Sequence, residues 1–202
     1  MFKSGLLPKA YKIKGYSLIE FKTVPVTKLP LSDWIFFTSK NSVRYFFKLN
    51  FDLKNTKVAC VGKGTYKELM KYVEKVSFIG DAVDIVEVGK LFSEVVGKET
   101  CVFPVSNISK RTVQKQFLNQ TNIYDLVVYS TEEKFNFEDP NADVLIFTSP
   151  SNVRAYFNKV AFKPKQKIIA MGPATGEQLL EIGITDFLIP ELTGELGLID
   201  LI

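Results

Sequence analysis

The 202-residue sequence has no histidine, two cysteines and one tryptophan. Without histidine, a Ser-His-Asp or Cys-His nucleophilic site is excluded, and two thiols are too few for an ordinary structural zinc site. Cys60 and Cys101 each lie in a short apolar run that reads as a buried strand, so they are expected as core thiols rather than a disulfide framework. Acid–base work falls to Tyr, Lys, Asp or Glu, or to water held by hydroxyls and backbone amides. No apolar run approaches the roughly 18–20 residues of a bilayer span, and no signal-peptide pattern opens the chain. A cytoplasmic protein without a membrane partner is therefore expected. Dense basic stretches are missing too: 26 Lys and Arg face 22 Asp and Glu, scattered along the chain. Nucleic-acid binders concentrate such charge, so the net charge of +4 suits a small polyanionic ligand better than a nucleic acid.

What is present is one pattern, twice. Residues 33–47, DWIFFTSKNSVRYFF, reappear 110 positions later as DVLIFTSPSNVRAYF at 143–157. KVACVGKGTYKEL at 57–69 reappears at the same displacement as KIIAMGPATGEQL at 167–179. A repeat of this length has the size of a small domain, not of a solenoid unit. Two related domains in one chain create a cleft, where ligands usually bind.

Short apolar runs alternate with helical patterns, which predicts βα units and a mainly parallel sheet in each copy. The first copy reads as strand 34–38, helix 42–49, strand 57–62, helix 65–73, strand 76–79, helix 88–96, strand 100–103, helix 111–118 and strand 124–129. The second reads as strand 143–148, helix 152–160, strand 167–171, helix 175–181, strand 186–189 and a final helix near 195–202. Residues 15–23 resemble 123–131, so the N-terminus completes the second copy. One domain is expected to be continuous, 27–124; the other is discontinuous, 1–20 plus 136–202, and lacks its first strand. Linkers at about 21–30 and 125–135 carry the chain across twice and allow hinge closure.

In parallel sheets, ligands gather at the carboxyl ends of strands, where helix N-termini present free N–H groups to anions. The repeated turns put hydroxyls there: Thr38 and Ser39, with Thr148, Ser149 and Ser151 in the other copy. The next turn supplies Lys63, Gly64 and Thr65, matched by Pro173, Ala174 and Thr175. Simple N-capping is the competing explanation for each Ser or Thr. A further strand-end loop adds Ser106, Asn107, Lys110 and Arg111, well suited to carboxylates. Tyr129, at the end of an extended apolar run in a linker, is the best available proton donor.

At these residues the chain resembles uroporphyrinogen-III synthase. The matching stretches are Ile35–Ser39 with Val43, Val61–Thr65, Val127–Thr131, Val144–Ser151 and Ile169–Thr175, in the same order and duplicated. The resemblance implies two similar flavodoxin-like α/β domains joined by a two-stranded linker, with the active site in the cleft. It implies a cofactor-free reaction of a monomer, with possible hand-over of substrate from hydroxymethylbilane synthase. Hydroxymethylbilane loses its hydroxyl, its terminal pyrrole ring is inverted through a spiro intermediate, and the macrocycle closes as uroporphyrinogen III. By the same resemblance, Tyr129 matches the tyrosine proposed to assist departure of the hydroxyl, while Thr65, Thr175, Ser149 and Ser151 match positions lining the cleft. The alternative expectation is a non-catalytic two-domain clamp for a tetrapyrrole or other polycarboxylate.

Overall fold

The computed structural model describes residues 12–53, 55–81, 84–134, 136–192, 196–199 and 201. The chain divides into two compact units, Phe21–Thr131 and Met1–Glu20 together with Glu132–Ile202. Strands β1 (Ile19–Thr23) and β6 (Ile123–Glu133) each contain one of these boundaries.

The larger sheet also contains β2 (Trp34–Phe37), β3 (Lys57–Val61), β4 (Phe78–Gly80) and β5 (Cys101–Ser106), in the order β1-β6-β5-β2-β3-β4. Neighbours from β6 to β4 are parallel. Period-2 alternation explains the layers on its two faces. Trp34 and Phe36 point to one core, shared with Val88, Phe92 and Val96 of helix α3 (Ile85–Val96). Ile35 and Phe37 point to the other. There they meet Val43 and Phe46 of α1 (Lys40–Phe47) and Leu69 of α2 (Gly62–Leu69). Phe92 is fully buried and packs on Phe36, with ring centroids 4.4 Å apart. Burying one such side chain contributes about 1.5–3 kcal/mol.

The second unit is smaller among the described residues: β7 (Val144–Phe147) and β8 (Lys167–Ala170) pair in parallel. They pack on α4 (Pro150–Phe157) and α5 (Pro173–Glu181), and a short α6 (Leu196–Ile199) follows. Tyr156 anchors the segment that leads into β7. Its hydroxyl donates to Asp139 at 3.0 Å, and Lys163 donates to the same carboxylate at 2.7 Å. Burial, then Asp139, pushes the Tyr156 phenol up to about 12, while Lys163 holds Asp139 below the usual carboxylate range.

The mainly parallel α/β class expected from the alternation is the one observed. Several elements differ in detail. The helix expected at 111–118 is instead a 3₁₀ turn, Gln114–Gln116, because Arg111 takes φ 55° and Gln120 bonds to the carbonyls of Gln114 and Phe117. The strand expected at 186–189 reduces to one bridge, Ile169 to Leu188. Strand β6 runs four residues further than expected. Most helices begin two or three residues earlier, directly after extended cap residues such as Ser39, Asp84 and Ser149 whose side chains accept from the first turn. The expected final helix falls partly on Glu195, Asp200 and Ile202, and the chain start on Met1–Lys3, all outside the described residues. Both cysteines are free and buried; burial pushes the Cys60 thiol up to about 11 and Cys101 further in the same direction.

Candidate active site

Four parallel strands place the first set of candidate residues on one sheet edge. The carboxyl ends of β5, β2 and β3 carry Ser106 and Asn107, then Thr38 and Ser39, then the turn Gly62–Thr65, while Tyr129 lies inside the neighbouring β6, four residues before its end. Tyr129 lies directly opposite Ser106 in the ladder. Thr148, Ser149 and Ser151, with Pro173, Ala174 and Thr175, occupy the corresponding edge of β7 and β8 in the other unit. The structure thus gathers each set on one edge.

The four turns are of two kinds. Ser39 and Ser149 are helix caps. Ser39 Oγ accepts from the Ser42 N–H at 3.0 Å, and Ser42 Oγ accepts from the Ser39 N–H at 3.2 Å, a reciprocal capping box. Ser149 Oγ accepts both the Asn152 N–H and its side-chain amide, and Asn152 Oδ1 in turn accepts the Leu18 N–H. Capping therefore accounts for both serines. Helices α2 and α5 differ: neither has a side-chain cap, and they begin at Val61-Gly62 and Gly172-Pro173. The first-turn amides of a helix lack intrahelical partners and attract anions. Thr65 and Thr175 are buried one turn inside these helices, while Lys63, Gly64, Pro173 and Ala174 are exposed. Lys63 sits 3.5 Å from Asp81, both largely exposed, a contact that water and salt screen.

The β5 loop is more committed. Asn107 continues the ladder past the end of β5: its N–H donates to the Tyr129 carbonyl at 3.1 Å, and its Oδ1 accepts the Thr131 N–H at 3.0 Å. Arg111 Nε lies 2.6 Å from Asp125 Oδ2, and Gln114 donates to the other oxygen of that carboxylate. Ser106 is half-buried beside them. Asn107 and Arg111 thus brace the loop against β6.

Tyr129 is buried, and its ring stacks on Tyr45 with centroids 5.1 Å apart and an interplanar angle of 23°. Phe21 meets it edge-on at 5.8 Å. A cavity of 480 Å³ opens beside this cluster, lined by Phe21, Arg44, Tyr45, Glu68 and Tyr72 among others. Tyr45 carried no motif in the sequence. Arg44 did, since it recurs as Arg154, and its partner was legible in the same repeat: Glu68 and Gln178, both hydrogen-bonding side chains, stand 24 residues further on. Arg44 donates to both Glu68 oxygens, at 2.8 and 3.1 Å, and Lys71 adds a third contact at 2.9 Å. Arg44, then Lys71, holds the Glu68 carboxyl down to about 2.

Among the described residues, no helix is long and apolar enough to cross a membrane, and no group of three His, Cys, Asp or Glu side chains is arranged to hold a metal ion.

Known proteins with the same pattern complete the comparison. A uroporphyrinogen-III synthase from Chlorobaculum parvum is 28% identical, with 88% of this chain and 84% of the relative covered. The crystal structure of a uroporphyrinogen-III synthetase from Helicobacter pylori shares the fold with a TM-score of 0.71 at 22% identity, covering 95% of this chain and 94% of its own. A mutant uroporphyrinogen III synthase from Thermus thermophilus shares it at 0.53 and 16% identity, over 91% of this chain and 84% of its own. The family model for uroporphyrinogen-III synthase HemD matches residues 17–200, nearly the whole sequence, and the chain belongs to that family.

Proposed function

We propose that this chain is a uroporphyrinogen-III synthase, a cyclising hydro-lyase that converts hydroxymethylbilane to uroporphyrinogen III with inversion of the terminal pyrrole ring. The observation that carries this reading is the family match across residues 17–200. The two uncapped helix N-termini, α2 and α5, support it. A substrate with eight carboxylates needs many neutral or positive anchors, and amide clusters supply them without a counter-charge that could titrate.

In this reading, Thr38, Lys63, Gly64, Thr65 and Ser106 on one edge hold substrate carboxylates, with Thr148, Ser151, Ala174 and Thr175 on the other. Ser39, Ser149, Asn107 and Arg111 act one step back, shaping the turns they brace; Pro173 starts α5 at a position that needs no N–H. Tyr129 gives its phenolic proton to the departing hydroxyl. The C–O bond breaks with its electron pair on oxygen and water leaves. The methylene cation left on the bilane is attacked by the substituted α-carbon of the terminal ring to give the spiro intermediate. Its older methylene bond breaks and re-forms at the ring's free α-carbon, and the proton lost there returns to the Tyr129 phenolate. The residual work is geometric, since free closure without inversion competes at every turnover. The protein acts in the cytoplasm as a monomer, taking its unstable substrate from hydroxymethylbilane synthase.

The test supplies enzymatically made hydroxymethylbilane and separates the oxidised uroporphyrin isomers. Isomer III as the main product is expected. Isomer I alone, the product of unassisted closure, would contradict the proposal and leave a binding clamp.

A further inference from the structure

Strand β6 contains an irregularity at the position that matters most. Val127 lies opposite Val105, but Tyr129 lies opposite Ser106, so Val128 is an extra residue in the ladder. In an unbroken strand, Tyr129 would share a face with Val127, which is 36% exposed. Instead Val128 and Tyr129, though consecutive, join one buried cluster with Val43 and Phe46 of α1. A β-bulge re-aims a side chain in this way.

The re-aimed ring meets Tyr45. The two rings are close to parallel, 5.1 Å apart, and Tyr45 is itself fixed from two sides. Its hydroxyl donates to the Phe21 carbonyl at 3.0 Å, and the Lys48 ammonium lies 4.4 Å from its ring centroid. Phe21 closes the remaining side of Tyr129 edge-on. Two rings packed at different angles leave Tyr129 one plane and one direction for its hydroxyl. The repeat shows that this is no general need of the fold: Tyr45 corresponds to Ala155, and Tyr129 corresponds to Phe21, which carries no hydroxyl.

We propose that Tyr45 is a positioning residue, which holds the Tyr129 phenol in its reactive orientation by ring stacking. This rests on the reading of Tyr129 as the proton donor above. The experiment measures kcat and KM for uroporphyrinogen III formation in Tyr45→Leu and Tyr45→Phe, each made in the wild-type chain and in Tyr129→Phe. Tyr45→Leu keeps apolar volume but removes the ring plane; it is expected to lower kcat roughly 10- to 100-fold with KM nearly unchanged. Tyr45→Phe keeps the stack and is expected to retain most of the rate. In the Tyr129→Phe background, Tyr45→Leu is expected to add nothing, because there is no hydroxyl left to aim. The proposal is overturned if Tyr45→Leu leaves kcat intact while Tyr129→Phe lowers it, or if the loss is equal in both backgrounds, as a purely structural role requires. A wild-type rate in Tyr129→Phe alone would instead remove the role of Tyr129 on which the proposal stands.

Discussion

The two copies use the same backbone positions for opposite electrostatics. In the larger unit, Arg44, Glu68 and Lys71 form two ion pairs on one carboxylate. In the other unit the corresponding residues are Arg154, Gln178 and Glu181: the Gln178 oxygen accepts from Arg154 at 2.6 Å, and its amide donates to Glu181 at 2.7 Å. A neutral amide bridges cation and anion where a carboxylate bridges two cations. Both arrangements tie the first helix of the copy to the second, so the tie itself is what the duplication kept. A second pair of positions changes together as well. A side chain at Gly64 would meet Lys40 Cε at 3.0 Å, whereas the second copy has Ala174 there and Pro150 in place of Lys40. Near Tyr129 the copies diverge in chemistry, as Tyr45 and Tyr129 against Ala155 and Phe21 show. Scaffold positions changed in compensating pairs; the aromatic positions did not compensate, which marks them as serving one copy's own task.

The aligned glycines offer the largest test of this comparison. Gly62 has φ 68°, while Gly172, its counterpart, has φ 174°. A side chain would find open space at both, so only the backbone distinguishes them. Gly62→Ala is expected to destabilise by about 1–2 kcal/mol, the cost of the left-handed region. Gly172→Ala should stay within about 0.5 kcal/mol of wild type. Chemical denaturation of both variants checks this, and equal losses would contradict it.

A smaller effect is expected from Glu68→Gln. It turns two ion pairs into one hydrogen bond and sets two donors, the new amide and Lys71, against each other. At pH 7 the thermal midpoint should fall by a few degrees. Because the folded carboxyl titrates at about 2 rather than 4.5, its stabilisation is fully present above pH 4.5 and is lost as the pH falls towards 2. The gap between wild type and variant should close over that window. Adding Lys71→Glu rebuilds the arrangement of the other copy and should recover most of the midpoint at neutral pH. Failure of that rescue would mean the two ties are not equivalent.

Much of the fold was legible because the repeat doubled each signal. β2, β3, β7 and β8, and the helices after them, each followed from two apolar runs read together. Elements outside the repeat were harder. The segment at 111–118 has helical spacing, yet Arg111 takes φ 55°, which breaks a helix at its start, and only the turn Gln114–Gln116 forms. Residues 186–189 are apolar and extended, yet they meet β8 through a single bridge. Among the candidate residues, the repeat singled out the four turns but not the split between capped and uncapped helices, because Ser-x-x-Ser and Ser-x-x-Asn are caps in one geometry and ligands in another. Tyr45 was hidden for a different reason. Its partner is set by a bulge, and alternation of Val127, Val128 and Tyr129 assigns the tyrosine to the wrong face.

The unequal copies point to one residue. Tyr129→Phe makes the larger copy match Phe21 at that position, removing a hydroxyl and little else. Single-turnover formation of uroporphyrinogen III from hydroxymethylbilane measures its effect most directly. The account predicts a rate about 100-fold lower with substrate binding nearly unchanged. A wild-type rate would contradict it.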